Sequence, residues 1–154
     1  MVFPYLLKEY RNRWFLFCSR ASDMVLFDLA LDRIKGIEVV PELEFKVDPK
    51  FNPKTYFKNV IGVTKHRGTP LGTVRFSATA EQTPYIETKP LHPSQMVVER
   101  NEETGEVIFQ MEVVLNFEFY AQILSFGAGV KVLSPKCAVN NIRKMLENAC
   151  LQYR

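Results

Sequence analysis

Val107, Phe109, Met111, Val113 and Leu115 occupy every second position of one short stretch. A period of two sends successive side chains to opposite faces of a strand, so these five share one apolar face. Such a strand cannot stand alone; it requires a second layer to bury that face. The flanking sequence supplies candidates. Val74, Phe76 and Ala78 alternate with Thr73, Arg75 and Ser77, giving another strand. Residues 80–88 suit a short helix with Pro84 near its first turn. Residues 95–100 read as a strand, and Asn101 to Gly105 as a hairpin turn whose glycine accepts positive φ. Asn116 can cap a helix over 117–126, which Gly127 and Gly129 end. Residues 130–133 form a fourth strand. Ser134-Pro135 then opens a last helix, where Val139, Ile142, Leu146, Ala149 and Tyr153 recur at helical spacing. The order β-α-β-β-α-β-α predicts a ferredoxin-like α/β sandwich with a C-terminal helix.

The N-terminal part has a different grain. Arg13 to Cys18 reads as a strand with Asn12 as a turn residue before it. Trp14, Leu16 and Cys18 share one face, and Arg13, Phe15 and Phe17 the other. Trp14 and Leu16 are expected to be core, with Arg13 exposed. A turn at residues 21–23 leads to a second strand over 25–31, and Ile37 to Val40 predicts a third, stopped by Pro41. Prolines and glycines punctuate residues 41–71, where 54–58 can form a helical turn and Phe45, Phe51 and Phe57 serve as packed anchors. The domain reading is a β-only region over 1–45, a linker over 46–71 and an α/β domain over 72–154.

Composition narrows the function classes. A hydrophobic fraction of 47% supports a real core, and 24% charged residues is ordinary for a globular chain. The net charge is +3, all of it accounted for by residues 1–20, where Lys8, Arg11, Arg13 and Arg20 face only Glu9. A local basic cluster attracts phosphate, although a solvated basic face has the same composition. Cys18, Cys137 and Cys150 are odd in number and widely spaced, so neither a zinc site nor a disulfide framework is expected. Buried reduced thiols and a cytoplasmic location follow. No apolar run is long enough for a membrane span, and the start lacks a signal-peptide pattern.

Catalytic signatures are absent: there is no P-loop, no Gly-x-Ser-x-Gly and no His-Glu-x-x-His. The chain is therefore read as no enzyme, with no cofactor and no metal. His66 and His92 lie in connections. In Leu91-His-Pro-Ser-Gln95, His92 and Gln95 are candidates for ligand contact; a hydrolase using His92 and Ser94 would need geometry that residues so close in sequence seldom present. Cys18 follows apolar residues, which predicts an inert thiol. The favoured site is Arg13, Phe15 and Arg33, with Arg11 beside them. Guanidinium groups clamp phosphate and an aromatic face stacks a base. The competing reading has Arg33 paired with Asp28 or Asp32 and Phe15 in the core.

Several segments resemble one family. Pro4-Tyr-Leu-Leu-Lys-Glu-Tyr-Arg-Asn-Arg-Trp-Phe-Leu16 is similar to the signature of WYL-domain transcriptional regulators, with Phe15 in place of the eponymous tyrosine. Leu29-Ala-Leu-Asp-Arg-Ile34 resembles the segment that follows it. His92 to Gln95, Ile123 to Gly127 and Val130 to Pro135 resemble the companion WCX extension. The resemblance implies an incomplete Sm-like, SH3-like small β-barrel ahead of the sandwich. It also implies sensing of an anionic, nucleotide-like or single-stranded nucleic-acid ligand, with Arg13, Phe15 and Arg33 at that surface. A homo-oligomer is expected. In that family a helix-turn-helix and at least one further barrel strand precede Pro4, so operator DNA would be met only through a missing domain. The alternative is a structural oligomerisation module that binds no ligand.

Overall fold

A computed structural model describes residues 1–49, 51–65 and 68–153. His66 lies outside the described residues. The chain divides into two compact units, Met1–Lys58 and Asn59–Arg154.

The first unit is an open antiparallel sheet in the order β1-β2-β3, with β1 at Val2–Tyr10, β2 at Arg13–Arg20 and β3 at Leu26–Ala30. The β1–β2 hairpin turns on Arg11 and Asn12 alone, both at positive φ (51° and 62°), the backbone that a two-residue turn between twisted strands requires. Glu9 Oε1 accepts from the Asn12 N–H at 2.6 Å and steadies this turn. The register shifts between Pro4 and Leu6, and that bulge breaks the period-two pattern that would have disclosed β1 in the sequence. Tyr5, at the bulge, sends its hydroxyl to the Lys46 carbonyl at 2.9 Å and meets Ser19 Oγ at 2.7 Å. The same oxygen accepts from the Asp48 N–H. Phe51 stacks on Tyr5, and Phe45 meets Phe3 edge-on. Phe57 packs edge-on against Phe17. A one-turn helix, α1 (Pro53–Tyr56), is capped by Asn52 and carries these aromatics onto the sheet.

Three expectations are corrected here. Trp14 is 51% exposed and Leu16 only half-buried, whereas Cys18 on the same face is fully buried. The cause is register: β3 pairs with β2 only from Phe15 to Ser19, so Trp14 lies at the hairpin end, past the third strand. Residues 37–40 join no strand ladder, despite their β-branched composition; propensity does not supply a partner. Of the thiols only Cys18 is buried, since Cys137 and Cys150 lie on the exposed side of the last helix.

The second unit follows the expected order. β4 (Leu71–Ala78), α2 (Thr83–Thr88), β5 (Met96–Arg100), β6 (Val107–Val114), α3 (Phe117–Leu124), β7 (Val130–Ser134) and α4 (Lys136–Leu151) build a wholly antiparallel sheet ordered β5-β6-β4-β7. This is the ferredoxin-like arrangement, in which the first and third strands of the unit lie at the centre. Val74, Phe76 and Ala78 of β4 and Val107, Phe109, Met111 and Val113 of β6 form the buried face, closed by Ile86, Phe119, Ile123 and Ala138 from the helices. Phe76 and Phe109 stand opposite each other in register and stack at 5.3 Å. Each fully buried side chain of this kind contributes about 1.5–3 kcal/mol.

The entry to α3 is tied to the segment before β4. Asn116 caps the helix through the Phe119 N–H at 2.8 Å, while its Nδ2 donates to the Ile61 and Thr64 carbonyls, each at 2.8 Å. Glu118, buried in the first turn, accepts on Oε1 from the backbone N–H groups of Val63 and Thr64 and from Thr64 Oγ1 at 2.7 Å. Gly62 has φ +79°, and a Cβ there would sit 2.5 Å from Glu118 Cγ.

Candidate ligand-binding face

Pairing register decides which side chains of the first unit can act together. Lys8 is directly opposite Phe15, and Tyr10 directly opposite Arg13, across β1 and β2. Residues opposite each other share a sheet face. Lys8, Tyr10, Arg13 and Phe15 therefore lie on one face at the hairpin end, and Arg11 forms its tip. The Lys8 ammonium sits 3.9 Å from the centre of the Phe57 ring, and the Arg11 guanidinium 5.4 Å from that of Tyr10. Both are cation–π contacts, in which the ring face attracts the cation.

Arg13 is exposed, as its place on the strand predicts, and its Nε lies 3.2 Å from Asp32 Oδ2. Both side chains of that pair are about half exposed (47% and 50%). Exposed pairs of this kind are worth about 0–1 kcal/mol, so a phosphate can replace the carboxylate at little cost. Asp32 belongs to the 3-10 turn Leu31–Arg33, and the pair sets that turn beside the start of β2. Arg33 is exposed and makes no ion pair among the described residues. Of the two carboxylates that the competing reading gave to Arg33, Asp28 or Asp32, Asp32 is engaged by Arg13. Phe15 is half-buried.

His92 and Gln95 lie in the second unit and are occupied within it. His92 is buried, and its Nδ1 accepts the Ser94 N–H at 3.1 Å and lies 2.7 Å from Ser94 Oγ. An Nδ1 that accepts a backbone N–H leaves the ring proton on Nε2. Ser94 Oγ also accepts from the Glu112 N–H at 2.9 Å, which stitches the connection to β6. Gln95 accepts the Leu91 N–H through Oε1 at 2.9 Å and donates from Nε2 to the Ile86 carbonyl at 3.1 Å. This His-Pro-Ser-Gln segment works as a clamp between α2, β5 and β6.

Sequence reasoning missed Lys8 and Tyr10 as companions of Arg13 and Phe15. Only the register places them there, and the bulge at Pro4/Leu6 hides that register. No helix is long and apolar enough to cross a membrane, among the described residues.

A small open sheet with a basic, aromatic hairpin end is followed along the chain by a ferredoxin-like unit. The model of the WCX domain matches residues 70–150, more than half of the chain, and the chain belongs to the WCX-domain family. The match runs from the residue before β4 almost to the end of α4. A solved structure of proteasome accessory factor B/C (PafBC) of Arthrobacter aurescens is similar to this chain with a TM-score of 0.39 and 15% sequence identity. That similarity covers 90% of this chain and 20% of the solved one. No curated protein matches the chain.

Proposed function

We propose that this chain is the ligand-sensing effector region of a transcriptional regulator, and that it binds an anionic, nucleotide-like or single-stranded nucleic-acid ligand. The observation that carries this reading is the shared face of Lys8, Tyr10, Arg13 and Phe15, with Arg11 at the tip and Arg33 next to Asp32 in the same 3-10 turn. Cations interleaved with aromatic rings suit a phosphate backbone with stacked bases. Arg11 adds support. A non-glycine residue at left-handed φ costs about 1–2 kcal/mol, which glycine would avoid. Membership of the WCX family and the likeness of Pro4 to Leu16 to the WYL signature agree with a regulatory role. The reading takes the chain as non-catalytic and as needing no cofactor.

Titration with a short single-stranded oligonucleotide at two salt concentrations tests it. Affinity should fall as salt rises, because binding releases counterions from the strand. The Arg13→Ala/Arg33→Ala variant should bind at least about tenfold more weakly, and Phe15→Ala should lose about 1–3 kcal/mol if a base stacks there. Equal affinity of wild type and the double variant would reject this face.

A second reading, a homo-oligomerisation module, has its own observation. Leu146 and Leu151 on α4 and Tyr153 beyond it are exposed, Tyr153 at 92%. Sedimentation of Leu146→Glu/Tyr153→Glu against wild type tests this reading. Monomer in both at high concentration excludes it, and a loss of dimer in the variant supports it.

A further inference from the structure

Within the second unit, α3 and α4 border a groove of about 470 Å³, lined by Tyr120 from α3 and by Cys137, Asn140, Asn141 and Lys144 from α4. Helical spacing sets the α4 side, since residues three and four apart share a face. No carboxylate is among the described residues that line it. Its polar groups are unengaged among the described residues. The Cys137 thiol is in no disulfide, the Asn140 and Asn141 amides make no hydrogen bond, and Lys144 makes no ion pair.

Tyr120 gives the groove a fixed polar point. The residue is only 8% exposed, and its ring packs edge-on against Phe119 in the core at 4.9 Å. A buried tyrosine ordinarily finds a partner for its hydroxyl. Here the hydroxyl has none among the described residues, yet it is not one of the sealed unsatisfied atoms, which are Arg75 Nε and Glu118 Oε2. It therefore opens onto the groove that Tyr120 lines.

We infer that the groove seats a short anionic peptide disulfide, which exchanges with Cys137. Lys144 takes a carboxylate as a point charge. The two asparagine amides can both donate to and accept from a peptide link, and Tyr120 adds a further hydrogen bond. Cys137 and Lys144 are seven residues apart, about 10.5 Å along the helix. The flexible lysine side chain shortens that gap, so a partner of about two to three residues spans it. In the exchange the Cys137 thiolate attacks one sulfur of the disulfide. A bond forms between Cys137 Sγ and that sulfur, the original S–S bond breaks, and the other sulfur leaves as a thiolate that takes up a proton. The disulfide is itself the oxidant. This site is separate from the anion-binding face and does not depend on it.

Cys150 supplies an internal control, because it is exposed on the same helix and does not line this groove. The full chain is exposed briefly to glutathione disulfide or to uncharged hydroxyethyl disulfide, and mass spectrometry reads the mixed disulfide at each cysteine. The ratio of Cys137 to Cys150 modification should be at least about fivefold higher with glutathione disulfide. In Lys144→Gln and in Tyr120→Phe that ratio should fall toward the hydroxyethyl value. Lys136→Gln, which changes a charge beside Cys137 but outside the groove, should leave it unchanged. Equal ratios for the two disulfides overturn the proposal. So does a glutathione ratio that survives both Lys144→Gln and Tyr120→Phe, or one that falls only in Lys136→Gln.

Discussion

Cys18 is sealed between the strands of the first unit, and burial, followed by the nearby Asp28 carboxylate, pushes its thiol up from 9.0 to about 11. The fold holds a proton there that the unfolded chain releases. Its contribution to stability is complete below pH 9.0 and is lost as pH rises through about 11. Tyr56 is raised in the same direction, by burial first and Asp28 second. Urea midpoints should therefore fall between about pH 9 and about pH 11, and Cys18→Ala should flatten part of that fall. A thiol reagent at neutral pH should modify Cys137 and Cys150 in the native protein and reach Cys18 only after unfolding. Trp14 makes a contrasting case. At 51% exposure its replacement by alanine should cost under about 1 kcal/mol, whereas Phe76→Ala, in a fully buried site, should cost about 3–5 kcal/mol. Thermal melts of the two variants compare these directly. From the sequence, Arg13 was legible as exposed and as sharing a face with Phe15, because alternation alone fixes that. Its partnership with Asp32 was not, because it depends on how β2 and the turn after β3 come together.

Among the elements, the second unit was legible almost throughout, because β4, β6 and β7 alternate apolar and polar positions and each helix starts or stops at a recognisable residue. Asn116 is such a residue, read correctly as the cap of α3. Glu118 two positions later was not anticipated: a glutamate in a first turn ordinarily faces water and favours the helix dipole. Here it is buried and receives three hydrogen bonds from Val63 and Thr64. Gly62 was the available signal, since a glycine at positive φ marks a place where something approaches closely. Gly62→Ala should destabilise the second unit by more than about 2 kcal/mol, combining left-handed strain with a clash at Glu118. Glu118→Gln should cost about 1–3 kcal/mol, since an amide replaces a charged acceptor. Denaturant titration measures both. In the first unit the elements were harder to read. β1 escaped because its bulge breaks the alternation, and residues 37–40 were read as a strand from composition, which carries no information about a partner.

At the scale of the whole molecule, the buried core of Val74, Phe76, Phe109, Met111 and Phe119 belongs entirely to the second unit. The first unit relies on fewer buried side chains, chiefly Phe3, Phe17, Cys18 and Phe51. Heating should therefore unfold the first unit earlier, as a separate transition. Residues 59–154 expressed alone should keep the later one, and calorimetry of the two proteins would show it. The sheet order of that unit also sets a timetable. β5 and β6 are joined by the short turn around Asn101 and Gly105, so they can meet within microseconds. β4 must wait for partners far along the chain, since Phe76 pairs with Phe109 on one side and with Val132 on the other. Closing such long loops precedes any reward from contact, which slows folding. On the ribosome, β7 and α4 emerge after the other strands of the unit. Until β7 arrives one edge of β4 stays open, and the nascent chain is exposed to mispairing at that strand for the whole of that interval.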